Sequence, residues 1–423
     1  MVFVGGPTPG NPVAVVGIGV QTPAGSTPDE LWAFLCAGRS CAEPFADPAL
    51  PPDAHLLVAR VKGPDPKRHL GRPQARRLDR IHLLATAAAE DALEGVRDGL
   101  PERGRCAVVC GIGYGAAATI EAQYRGLLEH GLRGLSALTA PVVMPSSVAA
   151  HLALRFGFGG PCHTVSTSCA SGASAIGEGA ELLRRGAADL VLAGGVDAML
   201  TLGVVGSFLR LGVLSANAES PDLACRPFDR DRDGLVLAEG AGFLVLVRGE
   251  DAIASRWAPL GYVAGYAATC DAHHLVAPPD DGEGARRCMA LALEDAGLTP
   301  GAIGHINAHG TSTRDGDRVE ARAIRRMFGD RPPPVTSVKG STGHMIGGSG
   351  AVEAIVTLLS LRDGAVPPVA GFRTPDPDIA LDIVAGRPRP VGGAYALSNS
   401  FGFGGNNAAL VLAGAGTAAG GPV

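Results

Sequence analysis

Apolar positions along the chain fall into two alternating rhythms. Near-continuous apolar runs rich in β-branched residues occur at VAVVGIG (13–19), RCAVVCGIG (105–113), DLVLAGG (189–195) and GFLVLV (242–247). Such runs predict strands buried on both faces, because a strand with one wet face would alternate apolar and polar residues. GYVAGYAAT (261–269), IGHINAHG (303–310), PPVTSVKG (333–340) and GAYALSNS (393–400) continue the pattern. Between them, apolar residues recur at helical spacing in DRIHLLATAAAEDAL (79–93), GASAIGEGAELLRRG (172–186), GARRCMALALEDAG (284–297) and SGAVEAIVTLLSLRDG (349–364). Strand and helix alternating from end to end predict a layered α/β fold, with glycine and proline at the tight junctions. No long linker divides the chain, and a change of composition around Ala252 to Pro259 is the candidate boundary between two halves.

Composition narrows the possibilities. With 423 residues, 46% hydrophobic and 18% charged, the chain can bury the core of one large domain or two medium ones and is not a disordered protein. Its longest apolar runs, such as LVLAGGVDAML (190–200), are too short and too broken by glycine to span a bilayer. The start MVFVGGPTPGNP lacks the basic residues and apolar stretch of a signal peptide, so a cytoplasmic location is expected. A net charge of −5 spread along the chain, without a basic tract, argues against a nucleic-acid partner. Nine cysteines with no CxxC pair argue against a disulfide framework and a structural zinc site.

Candidate chemistry concentrates where predicted strands end. HTVSTSCASGASAIGEG (163–179) has the order strand, abrupt turn, helix, which places Cys169 at or just before a first helical turn. Backbone N–H groups there lack partners and the macrodipole favours a thiolate. Most free cysteines are small hydrophobes, and that reading is kept for the other eight. NAHGTSTRDGD (307–317) and SVKGSTGHMIGGSGAVEA (337–354) set His309 and His344 where strands run into glycine-rich turns. Lys339 precedes the second histidine and Glu353 lies on the following helix, so strands adjacent in one sheet would bring all four together. SNSFGFGGNNAAL (398–410) adds a glycine-flexible loop with Phe401 and Phe403.

These segments, with RPFDRDRDGLVLAEGAG (226–242), together resemble the β-ketoacyl-acyl carrier protein (ACP) synthases in their elongating branch, the ketosynthases of fatty-acid and polyketide synthesis. The resemblance implies a thiolase-like fold of two similar αβαβα halves in five layers. Here residues 12–255 would carry the nucleophile and 256–414 both histidine motifs, with tails at 1–11 and 415–423. The active site would lie between the halves, with a homodimer as the usual assembly. By the same resemblance Cys169 is the acylated nucleophile, His309 and His344 hold an enolate, and Lys339 and Glu353 orient His344 and its water. Phe401 would be the gating residue and would lend its N–H, with that of Cys169, to an oxyanion. Thr311 and Thr313 match positions that bind the pantetheine arm, although turn hydroxyls would look the same. Phe403 borders that pocket.

The implied reaction is a decarboxylative Claisen condensation. An acyl group moves from a carrier's phosphopantetheine to Cys169, and the enolate left by CO₂ loss from malonyl-ACP attacks it. No metal or nucleotide cofactor is called for. CGIGYG (110–115) is glycine-rich after a strand, but no acidic partner follows at dinucleotide spacing. The family lines its acyl pocket with this loop, and Gly113, followed by Tyr114, stands where housekeeping relatives carry a bulky aliphatic, so the pocket floor would be reshaped. Carrier proteins are acidic, so docking should use Arg72, Arg76, Arg77 and Arg80 in GRPQARRLDR and Arg210 in FLRLGVLS, with a solvated basic helix face as the competing reading. Val276 stands where a threonine often faces the pantetheine, and Pro73 replaces a basic residue. Two other readings stay open: a non-catalytic chain-length-factor-like subunit of a heterodimer, against which the intact Cys169, His309 and His344 argue, and a thiolase or starter acyltransferase acting on CoA esters.

Overall fold

The computed structural model describes residues 12–47, 49–50, 56–63, 70, 75–255 and 257–417. The expectations for residues 1–11 and 418–423, and for Arg72 and Pro73, lie outside the described residues. Ten strands share one hydrogen-bonded sheet. In chain order they are β1 (Val13–Gln21), β2 (Cys106–Gly111), β3 (Cys162–Val165), β4 (Leu190–Asp197) and β5 (Gly240–Arg248). The second set is β6 (Gly261–Cys270), β7 (Ile303–Asn307), β8 (Val335–Thr336), β9 (Tyr395–Gly402) and β10 (Asn406–Gly414).

Across the sheet the order is β8-β7-β9-β10-β6-β1-β5-β4-β2-β3. Read outward from the middle, β6-β10-β9-β7-β8 repeats β1-β5-β4-β2-β3 strand for strand. The sense of pairing repeats too. β2 is parallel to β3 and β4, and β5 is antiparallel to β4 and β1; β7 is parallel to β8 and β9, and β10 is antiparallel to β9 and β6. Within the sheet, the two five-stranded units join through a short antiparallel pairing of Val13–Val15 with Gly261–Val263.

The main helices are α1 (Arg80–Leu93), α2 (Ala117–His130), α3 (Ser147–Phe156), α4 (Ser171–Arg184), α5 (Leu202–Leu211), α6 (Glu283–Asp295), α7 (Arg314–Phe328) and α8 (Ser349–Asp363). α4 and α8 pack on each other between the two units, while α1 and α3 cover the outer face of the first and α6 and α7 that of the second. This is the five-layered thiolase-like arrangement. The central strands β1, β4 and β5 are largely apolar because both of their faces are covered. Leu244 and Leu246 of β5 join Ile176, Leu183 and Val352 in the central layer, and Phe243 and Val245 join Ile81 and Leu84 outside. A Cβ at Gly17 or Gly19 would stand 2.1 Å from a carbonyl oxygen of α1, so glycine lets that helix lie directly on β1.

The duplication positions the chemistry. β3 runs through the turn Ser168–Ala170 into α4, and β8 runs through Lys339–Thr342 and the turn Ile346–Gly348 into α8. Cys169 therefore precedes one central helix and His344 precedes the other.

Candidate active site

Cys169 sits in the turn ahead of α4, after Ser168, whose φ is +52°. Ser171 Oγ fixes that turn by accepting the Thr167 N–H (2.9 Å) and donating to the Ser168 carbonyl (2.6 Å). The thiol is buried. Burial pushes its pKa up to about 12, against the pull of the Lys339 ammonium and of the Phe403 N–H. Desolvation here opposes the pull of the helix terminus toward a thiolate.

His309, at the end of β7, and His344 meet edge to face with ring centroids 5.4 Å apart. One ligating atom of each lies within 4.8 Å of the others and of Cys169 Sγ. Lys339 is fully buried; its ammonium pairs with Glu353, donates to the His309 carbonyl (2.6 Å) and lies 3.4 Å from His309 Nδ1. An ammonium is only a donor, so this network leaves His309 Nδ1 bare and Nε2 protonated. His344 Nδ1 lies 2.9 Å from Ser349 Oγ, which also accepts the Met345 N–H, so the hydroxyl proton points to Nδ1. His344 Nε2 therefore carries the proton, and among the described residues no group accepts it. Burial, reinforced by Lys339, holds both imidazoles neutral, their pKa values well below the ordinary 6.5. The expectation that Lys339 orients His344 is corrected: it contacts His309, and Ser349 orients His344.

Sequence reasoning passed over Glu320. It is buried on α7 and accepts the N–H groups of His309 and Gly310, both at 2.8 Å, with Asn399 Nδ2 at 3.3 Å. Burial pushes its carboxyl up to about 7 against those bonds. Asp317, one turn earlier, accepts the N–H groups of Phe228 and Ser312. A signal existed: on a helix studded with arginines, Asp317 and Glu320 share the buried side with Ala321 and Ile324.

These groups open onto a cavity of about 350 Å³ whose lining includes Thr311, Thr313, Val276, Phe401 and Phe403. The threonine hydroxyls lie 2.9 Å apart. The Phe401 ring leans on His309, with centroids 6.1 Å apart, and Phe403 stacks on Phe208. The backbone N–H against the Cys169 thiol belongs to Phe403, two residues along from Phe401, where the family resemblance places an oxyanion donor. Gly113 and Tyr114 are not part of the cavity wall. Arg76, Arg77 and Arg210 are exposed, whereas the Arg80 guanidinium holds the Glu239 carboxylate with two contacts of 2.6 Å. Cys169, His309 and His344 are the one group with metal-ligand spacing among the described residues, and the neighbouring Lys339 ammonium disfavours a cation there.

Comparison with known proteins follows the same outline. The family model "Beta-ketoacyl synthase, N-terminal domain" matches residues 10–252, and "Beta-ketoacyl synthase, C-terminal domain" matches 260–373. The 3-oxoacyl-[acyl-carrier-protein] synthase 2 of Synechocystis is 38% identical over 404 residues, covering 95% of this chain and 97% of that protein. The solved ishigamide ketosynthase/chain length factor is 32% identical with a TM-score of 0.88, covering 96% of this chain and 99% of its own. AntDE:AntF, a type II PKS acyl-carrier protein in complex with its ketosynthase bound to the hexaketide, is 29% identical with a TM-score of 0.87 and the same coverage.

Proposed function

The chain belongs to the β-ketoacyl synthase family, and from that premise we propose that it takes an acyl group from a carrier protein onto Cys169 and condenses it with malonyl-ACP to give CO₂ and β-ketoacyl-ACP. The observation that carries this reading is the convergence of a thiol and two neutral imidazoles within 4.8 Å in a buried cavity.

In the first step Cys169 attacks the acyl thioester, its proton leaves with the carrier's thiol, and the N–H groups of Cys169 and Phe403 receive the oxyanion. In the second, the bond from the malonyl carbon to its carboxylate breaks and the electron pair moves to the thioester oxygen. Nε2–H of His309 and of His344 donate to that enolate, and one such donor is typically worth ~10² to 10³ in rate. The enolate carbon then attacks the Cys169 thioester and the cysteine leaves. Thr311 and Thr313 would receive the pantetheine arm, and exposed Arg76, Arg77 and Arg210 would steer an acidic carrier. The reading assigns no metal or nucleotide cofactor and places the chain in the cytoplasm; among the described residues no helix is long and apolar enough to cross a membrane.

Likeness to the Synechocystis enzyme supports fatty-acid elongation. A second reading, polyketide extension, has support in the two ketosynthase structures. Both readings include a second chain, because β3 is an open edge of the sheet among the described residues. We place a second copy there, with a chain-length-factor-like subunit as the alternative. Incubating the purified protein with malonyl-carrier and a panel of acyl-carriers, with intact-mass readout of enzyme and carrier, tests the function. Acylation of Cys169 and a carrier-bound β-ketoacyl product are expected; absence of both in the folded protein, alone and with candidate partner subunits, would overturn it.

A further inference from the structure

We propose that Asp197 is a positioning residue that holds Ile346 against Cys169 and so sets which acyl groups the thiol accepts, an inference that rests on the condensing function above. Asp197 ends β4 and is fully buried. Burial pushes its carboxyl up to about 6, against four backbone N–H groups that favour the charged form. Oδ1 accepts from Tyr114 (2.9 Å) and Gly115 (3.3 Å), and Oδ2 from Gly113 (2.9 Å) and Gly347 (2.8 Å). These donors come from two separate segments, the loop after β2 and the turn Ile346–Gly348 between His344 and α8. One carboxylate ties the two together.

Ile346 is what the tie holds. It has a φ of +44°, a conformation that a β-branched residue adopts only where its surroundings over-determine it. Its side chain lines the cavity and shares an apolar cluster with Cys169, Phe208 and Leu235. The N–H of the very next residue, Gly347, is the one that Asp197 Oδ2 grips. Space around the carboxylate is used up. A Cβ on Gly347 would stand 2.7 Å from Oδ2 and 2.6 Å from the Gly113 nitrogen. A Cβ on Gly113 would stand 2.6 Å from Oδ2 and 2.6 Å from Ile346 Cγ2. Gly113 thus gives its room to Asp197 and Ile346 and not to an acyl chain. Its influence on the pocket runs through Ile346.

A carboxylate suits four converging donors and an amide does not, since Asn replaces one acceptor oxygen with an NH₂ that faces N–H groups. The test is self-acylation of Asp197→Asn by acyl-carriers of increasing chain length, beside malonyl-carrier decarboxylation by Asp197→Asn in a Cys169→Gln background. The ratio of long- to short-acyl rates should shift by roughly tenfold, the equivalent of about two buried methylenes, while decarboxylation persists. An equal loss at every chain length, or an unchanged ratio, would overturn the proposal. Should Asp197→Asn fail to fold, Ile346→Gly carries the test on the same series, because glycine takes a positive φ without a tie; an unaltered preference there overturns it as well. Failure of the wild-type protein to acylate or decarboxylate at all would sink the condensing function itself, and needs no variant to be seen.

Discussion

At the scale of single residues, the proposed mechanism divides the labour between a thiol that carries acyl groups and imidazoles that hold charge. Cys169→Gln should therefore abolish acylation and condensation but still release CO₂ from malonyl-carrier, because the enolate is held by Nε2–H of His309 and His344. Loss of decarboxylation in the folded variant would contradict that division. Ser349→Ala removes the hydroxyl that fixes the His344 tautomer and should lower decarboxylation by about tenfold or more while sparing acylation, since a misdirected imidazole presents a lone pair where a donor is needed. The two half-reactions should also part company with pH. Both imidazoles are held neutral well below pH 6.5, so CO₂ release by Cys169→Gln should stay flat from pH 8 down through 6.5. The thiol, pushed up to about 12, has a thiolate fraction that grows roughly tenfold per unit as pH rises toward that value, so wild-type acylation should climb from pH 6.5 to pH 8. An acid limb near 6.5 in the CO₂ profile would show an imidazole titrating there. Cys169, His309, His344 and Lys339 were legible in the sequence because reactive residue types stand at predicted strand ends. Ser349, Glu320 and Asp197 were not, since a serine or an acid looks ordinary until its backbone partners are seen. The choice between the Phe401 and Phe403 N–H groups is equally invisible, being a matter of backbone direction within one loop.

Among the elements, the strands that run into the site were readable from their apolar runs, and so were α1, α4, α6 and α8, whose small and aliphatic residues face sheets or each other. α7 was not. Its arginines, including Arg318, Arg322, Arg325 and Arg326, dominate its composition, so its narrow buried side does not stand out as a helical period. The repeated strand order was also hidden, because equivalent strands share a pattern of pairing and not a run of residues. The loop Phe401–Gly405 shows how tightly these elements meet. A Cβ on Gly402 would stand 2.8 Å from the Thr167 carbonyl oxygen and 3.0 Å from the Cys169 nitrogen. Gly402→Ala should therefore push this loop off the turn that carries the nucleophile and separate the two oxyanion N–H groups. Acylation should fall by about 10² or more, in line with the loss of one donor, with a smaller effect on decarboxylation by the same substitution in Cys169→Gln. Equal losses in both half-reactions would place the damage in the histidines instead.

At the scale of the whole molecule, the ten-stranded sheet has two edges, and they differ. β8 is covered: Val335 donates to the Asp382 carbonyl and accepts from the Val384 N–H, so a loop completes that side. β3 is bare, and its Cys162 and His163 are exposed. The carbonyls of Pro161 and Val165 accept from Val108 and Ile112 of the neighbouring segment, so by alternation Cys162 and Thr164 turn their backbone groups outward. Leu128, Leu132 and Leu154 are 85%, 82% and 83% exposed, and Leu154 lies on α3, which packs against β3. Antiparallel pairing of β3 with β3 of a second copy would satisfy the edge, and a specific dimer of this kind buries at least ~1,200 Å². Thr164→Pro tests the arrangement. Proline is tolerated on an edge strand where its missing N–H faces outward, so the fold and the ladder to β2 should survive while pairing across the edge is blocked. Sedimentation should then report a monomer where the wild type is a dimer, with unchanged helix and strand content by circular dichroism. A Thr164→Pro protein that remains dimeric would place the partner elsewhere. A wild type that is monomeric alone and pairs only with a different, fold-sharing chain would assign the edge to a heterodimer.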